Sequence, residues 1–331
     1  MSNNKVLEKI LKIEFPVIMA PMFLVSNVNM VIEAMKNGIA GVIPSLNYRT
    51  PAELGNAIDI LNNFYKSNEN KGTYGINLIV QKSNYQLQEH LDICVSKKVP
   101  FYITSLGSPK EVVDKAKPYG AVVFSDVTNL KHAEKVHEMG IDGFIAVCES
   151  AGGHSGTQSN KDFVPALLKK FPGTPVIAAG GIATGSGILS MLSLGALGVS
   201  IGTLFIASKE SEVSQEYKDA IVNSRMKDIV MTSRLSGAPV SIINTPYYKK
   251  LKKADKKQRK LEKIDPLPKN KMKLMEEGIK MLQKSIEPGN YNNLWVAGKS
   301  VEYINKIKPV AKIIKALKKE FHLEKGQSEK L

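Results

Sequence analysis

Three glycine-rich stretches hold the residues whose types and spacing could do chemistry. The first is Ser150-Ala-Gly-Gly-His-Ser-Gly156. Glycines let a backbone approach a planar ring or a phosphate where a Cβ would obstruct it. A histidine in such a loop, His154, can transfer protons near neutral pH. The blander reading is a flexible turn with an incidental histidine. The second stretch is Ala178-Ala-Gly-Gly-Ile-Ala-Thr-Gly185, and the third is Ser200-Ile-Gly-Thr203. Backbone N–H groups and a helix N-terminus would give these two an anion-binding field, and the Thr203 hydroxyl adds a donor. Each stretch alone is weak. Their order and spacing together point to a phosphate-bearing cofactor beside a proton-transferring histidine.

Each stretch sits at the end of a short apolar run, and those runs must position it. Eight such runs read as strands: residues 16–20, 40–44, 74–79, 101–104, 121–124, 143–147, 175–179 and 198–202. They are apolar without alternation, as parallel strands covered on both faces should be. Helical patterns lie between them, over Val28 to Asn37, Pro109 to Lys117 and Asn129 to Met139; the first and third stop at Gly38 and Gly140. This alternation predicts an α/β protein whose residues 1–245 form a closed TIM (β/α)8 barrel. A doubly wound open sheet is the alternative, but no GxGxxG follows the first run. In such barrels function lies at the C-terminal ends of strands, with phosphate commonly bound after the seventh and eighth.

Residues 246–331 read as a Lys-rich, mainly helical extension. Lysine dominates Tyr247 to Lys273, where Pro266 and Pro268 interrupt any long helix, and an exposed excursion or lid is expected. Further on, Ile313, Ile314, Leu317 and Phe321 share one helical face with lysines opposite, a pattern for a helix packed on the barrel.

Composition narrows the function classes. The chain has 331 residues, 43% hydrophobic, enough for a large core. No apolar run reaches the ~18 residues that span a bilayer, and the first residues lack a signal peptide's apolar stretch. The two cysteines, Cys94 and Cys148, form no CxxC, so neither a disulfide framework nor a metal site is indicated. A cytoplasmic location is expected. The net charge of +15 reads as solvated lysine-rich faces, with no nucleic-acid and no membrane partner, since aromatics are not interleaved with the charges. His90, His132 and His137 lie in polar helical stretches and are expected at the surface. Cys148 is expected to be a small buried residue rather than a nucleophile.

At this point the sequence resembles the nitronate monooxygenase (2-nitropropane dioxygenase-like) flavoproteins, related to the FMN-dependent enoyl-[acyl-carrier-protein] reductases. The resemblance runs from about Phe15 to Asn244. It rests on Met19-Ala-Pro-Met22, Gly75-Ile-Asn-Leu78, Ala151-Gly-Gly-His-Ser-Gly156, Ala179-Gly-Gly-Ile182 and Ile201-Gly-Thr203. It implies FMN as cofactor. Ala20, Pro21 and Met22 would lie against the isoalloxazine ring, Asn77 would hydrogen-bond it, and Gly152 would pass close to it. Gly180, Gly181, Gly202 and Thr203, with Ser200 and Ile201, would hold the phosphate. His154 matches the family's catalytic histidine. Two positions depart from the family's pattern. Val147-Cys-Glu-Ser150 replaces a common Gln-Gly-x-Glu, and Asp126 stands where one branch carries a lysine.

The resemblance implies oxidation of an alkyl nitronate or nitroalkane by FMN and O2. The alternative is an NAD(P)H-using enoyl-[acyl-carrier-protein] reductase, for which the positive charge suits an acidic carrier protein. A third reading is a phosphate-ligand barrel without turnover. An inosine-monophosphate-dehydrogenase-type barrel would need a loop cysteine that is not found. The sequence leaves the physiological substrate open, and equally a monomer or a homo-oligomer.

Overall fold

Apolar runs without alternation need cover on both faces, and a parallel barrel wrapped in helices supplies it. The computed structural model describes residues 6–67, 69–233, 239–253, 278, 280, 281, 283 and 294–328. Eight strands close a barrel: β1 (Val17–Met19), β2 (Ala40–Pro44), β3 (Thr73–Ile79), β4 (Phe101–Ser105), β5 (Val122–Val127), β6 (Gly143–Val147), β8 (Val176–Ala179) and β9 (Gly198–Ile201). All neighbours run parallel, and β9 returns to β1 with Ser200 level with Ile18. These are the eight expected strands, with small shifts at their ends. The barrel interior is packed with Ile18, Val42, Phe101, Ile103, Phe124 and Ile145. Phe101 and Phe124 meet edge to face at 5.4 Å. Helix α1 (Val6–Leu11) closes the N-terminal end by placing Leu7 and Leu11 in the same cluster.

Several outer helices begin where a side chain satisfies their first N–H groups. Asn27 accepts from the Met30 amide to start α2 (Val28–Lys36), and Thr50 and Glu53 form a reciprocal box at α3 (Pro51–Tyr65). Asn129 caps α6 (Leu130–His137), and Thr184 caps α8 (Gly185–Ser193). The C-terminal helix, Val310–Ser328, packs on α8 and α2 with Ile313, Ile314, Leu317 and Phe321 buried. Phe321 meets Phe15 edge-on at 5.4 Å, and Lys318 donates to the Asn37 carbonyl at 2.8 Å.

A second sheet was not expected. Strands β7 (Gly153–His154), β10 (Ile229–Thr232) and β11 (Val240–Ile243) form an antiparallel sheet in the order β10-β11-β7. Residues 246–253 are helical, with Tyr248 buried. The rest of the lysine-rich stretch expected as a lid, including Pro266 and Pro268, lies outside the described residues. Among the described residues no helix is long and apolar enough to cross a membrane.

His90 is not at the surface. It lies on α4 (Leu87–Ser96) at 0% exposure, and neither ring nitrogen has a hydrogen-bond partner. The reason is the helix face: Leu91 and Cys94 turn inward with it. Burial pulls the imidazole below its usual value, partly offset by Glu89. A depressed histidine contributes stability that is present above the unfolded value of 6.5 and lost as pH falls below it. The lowered His132 and His154 act in the same direction. His90→Leu is therefore expected to gain stability over the native chain as pH drops from 7 to 5, by up to about 1.4 kcal/mol per pH unit. Melting curves at the two pH values check this, and an equal difference at both would refute it.

Candidate active site

A cleft of about 390 Å³ opens at the C-terminal ends of the barrel strands. That lies within the roughly 300–1,000 Å³ range of small-molecule sites. It gathers all the nominated residues. Ala20, Pro21 and Met22 follow β1, Asn77 sits near the end of β3, and Gly152 and His154 follow β6. Gly180 and Gly181 follow β8, Ser200 and Ile201 end β9, and Gly202 and Thr203 turn into the short helix α9 (Thr203–Ile206). The first segment is fixed through its backbone amides. The Ala20 amide donates to the Ile201 carbonyl at 2.9 Å, and the Met22 amide donates to Ser26 Oγ at 3.0 Å. Met19 is wholly buried in the outer core, whereas Met22 borders the cleft.

Two leucines on the cleft wall, Leu24 and Leu106, hold left-handed φ values of 60° and 61°. Such backbone costs of order 1–3 kcal/mol per residue and persists where surrounding structure enforces it. At Leu24 the enforcer is Asn47, whose Oδ1 accepts from the Leu24 amide at 2.8 Å while its Nδ2 donates to the Ser26 carbonyl.

His154 does not sit on a loose turn. It forms β7, level with Val240 of β11, and the neighbouring Ser155 hydroxyl meets that of Ser241 at 3.3 Å. Its side chain is open to the cleft, yet the concave walls desolvate it and lower its pKa. The neutral, base-competent imidazole thus prevails at pH 7.

The glycine loops are held against each other. Gly180 and Gly181 have φ of +115° and +76°. A Cβ on Gly180 would lie 2.8 Å from the Ala151 amide nitrogen, and one on Gly181 would lie 2.9 Å from Ser150 Cβ. Asn160 Nδ2 fixes the loop further by donating to the Gly180 carbonyl at 2.8 Å. Gly152 meets the backbone of a distant segment: its Cβ would come within 2.8 Å of the Gly298 nitrogen. Thr203 Oγ1 accepts from that same Gly298 N–H at 3.0 Å. A hydroxyl that accepts can still donate, so Thr203 keeps a proton for an anion.

A polar row crosses the opposite wall. Asn77 Nδ2 donates to the Ile103 carbonyl at 3.0 Å and to Ser105 Oγ at 2.8 Å. Ser105 Oγ in turn donates to Asp126 Oδ2 at 2.5 Å. With its amide protons committed, Asn77 can meet a ligand only through its carbonyl oxygen. Burial raises the Asp126 carboxyl to about 6, against the lowering effect of the Ser105 bond.

Sequence reasoning assigned no role to Ser105, and it placed His132 at the surface. His132 is half-buried and lines the cleft, with its ring meeting the Gly107 backbone. It stands at the start of α6, and a helix N-terminus there faces the strand ends. His137, further along α6, is exposed as expected, and Cys148 is buried as expected. Leu294, Val296 and Ser300 also line the cleft from far along the chain. They are held by β-bridging of Val296 to Ile242, by the Lys299 amide donating to the Ser150 carbonyl, and by the stacking of Trp295 on Tyr217. No local sequence signal announces that segment; only the close approach demanded at Gly298 hints at it.

An α/β barrel with a histidine, glycine turns and hydroxyls converging at its strand ends is the architecture of a barrel enzyme. The model of the family described as Nitronate monooxygenase matches residues 4–320. The chain belongs to that family and is a flavin-dependent oxidoreductase. A probable nitronate monooxygenase of Staphylococcus aureus (strain JH9) is 27% identical over 294 residues, covering 76% of this chain and 81% of the relative. FabK from Thermotoga maritima superposes with a TM-score of 0.84 at 28% identity, covering 98% of this chain and 97% of its own. Nitroalkane oxidase from Streptomyces ansochromogenes shares the fold, with a TM-score of 0.79 at 19% identity over 97% of this chain and 99% of its own.

Proposed function

We propose that the chain oxidises alkyl nitronates, and nitroalkanes through them, with FMN as cofactor and O2 as oxidant. The observation that carries this reading is the meeting of His154 and the two phosphate-type glycine loops in one cleft. FMN bound there would supply the two-electron chemistry. The Gly180-Gly181 and Gly202-Thr203 turns fit a phosphate group, because their backbone reaches the cleft without a Cβ and Thr203 retains a donor proton. No lysine or arginine stands among the described lining residues, and of these the N–H groups and hydroxyls are what would hold that anion. Ala20, Pro21 and Met22 make an apolar wall for a planar ring, and Gly152 lines the cleft beside His154. The Asn77 carbonyl oxygen can accept from a ring N–H.

His154 has two roles, depending on the substrate. Toward a neutral nitroalkane the neutral imidazole removes the proton from the α-carbon. A nitronate needs no base, and the N–H of the neutral His154 imidazole would then donate a hydrogen bond to the anion. The cofactor-binding barrel spans residues 1–245, and residues 246–331 are the Lys-rich extension that completes the cleft through Val296 and its neighbours. The enzyme works in the cytoplasm on a small-molecule substrate.

A second reading is favoured by the near full-length superposition on FabK: an NAD(P)H-using enoyl-[acyl-carrier-protein] reductase. Oxygen uptake separates the two. FMN-reconstituted protein is expected to consume O2 when given a primary nitronate, and to leave an enoyl thioester and NADH unchanged. Enoyl reduction without nitronate-dependent O2 uptake would overturn the first reading.

A further inference from the structure

The charge inventory of the cleft is lopsided. In a chain with 46 lysines and arginines, the described lining residues include neither; Asp126 is the one acid. It stands on β5 between β4, which contributes Ser105, and β6, which contributes the apolar Ile145 and Val147. The other titratable groups facing the cleft are His132 on α6, His154 on β7 and Tyr217 on α10 (Gln215–Asn223). Burial favours the neutral form of each of these. No ion pair to Asp126 occurs among the described residues, and the donor row from Asn77 through Ser105 ends on its Oδ2. The ligands of the proposed function bring further negative charge, on a phosphate and on a nitronate. Like charges that share one desolvated cleft are poorly screened from each other, which favours neutralising one of them.

We propose that Asp126 is the proton-linked specificity residue of the cleft: its neutral carboxyl is the form that admits the anionic ligands, and their binding takes up a proton there. The proposal rests on the FMN reading. Neutral Asp126 keeps its Oδ2 as acceptor from Ser105 and can offer a proton to a carbonyl or anionic oxygen. Ionised Asp126 repels the same oxygen. Burial pushes this carboxyl up to about 6. The Asp126 contribution to FMN affinity is thus level below that pH and weakens above it, by up to about tenfold per unit until the carboxyl of the complex itself ionises.

The test compares FMN affinity from pH 5.5 to 8.5, by quenching of flavin fluorescence, in the native chain and in Asp126→Asn. Calorimetry in two buffers of different ionisation enthalpy gives the protons taken up. The difference between the proteins cancels the titration of the FMN phosphate. Asp126→Asn is expected to bind FMN more tightly at pH 8, to lose most of the pH dependence, and to take up fewer protons, by up to about one. Ser105→Ala removes the donor that lowers the carboxyl's pKa, so its decline in affinity should begin at a higher pH. Identical pH profiles and proton uptake in native and Asp126→Asn proteins would overturn the proposal, as would weaker FMN binding by Asp126→Asn at pH 8. Absence of FMN binding in all three proteins would overturn the FMN reading itself, and this proposal with it.

Discussion

His154→Gln is expected to lower kcat/KM for a neutral nitroalkane by about 10² to 10⁴-fold, the usual contribution of a positioned general base. Turnover of the preformed nitronate should fall only on the order of tenfold, the loss of one hydrogen bond to an anion. The asymmetry follows from the chemistry: one substrate must lose a proton, and the other has already lost it. The geometry supports the assignment because β7 pairs with β11 at this residue, so the imidazole is presented from a strand. The pH profiles should differ in shape. Burial lowers the His154 pKa below 6.5. Nitroalkane turnover should therefore rise with pH up to a plateau near neutrality, while the nitronate reaction gains nothing from deprotonation. Steady-state kinetics on both substrates decide the matter. Equal losses for the two would show that His154 positions the ligand and does not act as a base.

Gly298→Ala should cost about 1–3 kcal/mol of stability, the typical penalty of overpacking, and lower the melting temperature by several degrees. An alanine Cβ there would lie 2.6 Å from both the Gly152 nitrogen and the Ser150 oxygen, and backbone atoms cannot yield as a side-chain end does. The segment would have to lift. That removes the bond from the Gly298 N–H to Thr203 and shifts Val296 and Ser300 on the cleft wall. FMN affinity should fall along with stability, on the order of tenfold. Gly326→Ala is the control. Nothing lies within 4 Å of its Cβ, and it sits in the C-terminal helix, so it should be neutral or slightly stabilising. Thermal unfolding and FMN titration of the two variants suffice. Unchanged FMN binding in Gly298→Ala would show that the segment 294–300 takes no part in the cofactor site.

The barrel was legible because parallel strands buried on both faces leave an unmistakable signal, uninterrupted apolar runs such as Gly143-Phe-Ile-Ala-Val147. The glycine turns were legible because backbone with positive φ, as at Gly180 and Gly181, restricts residue choice. What stayed hidden depends on distant pairing. Strand β7 is two residues long, and its partner β11 lies more than eighty positions on. The polar neighbours Glu89 and Asp92 make His90 read as a surface residue, whereas it is buried. The inward face at positions 90, 91 and 94 is nonetheless a helical stripe that periodicity could have revealed. Ser105 and Asp126 carry no motif. Their meaning arises only when the ends of β3, β4 and β5 stand side by side and the hydroxyl bridges Asn77 to the carboxylate.

Anaerobic addition of a nitronate to the FMN-reconstituted protein, followed through the visible flavin absorbance band, tests the central claim most directly. Loss of the band with nitronate but not with NADH, and its return on admitting air, is the predicted result. A band that nitronate leaves unchanged and NADH bleaches would contradict it.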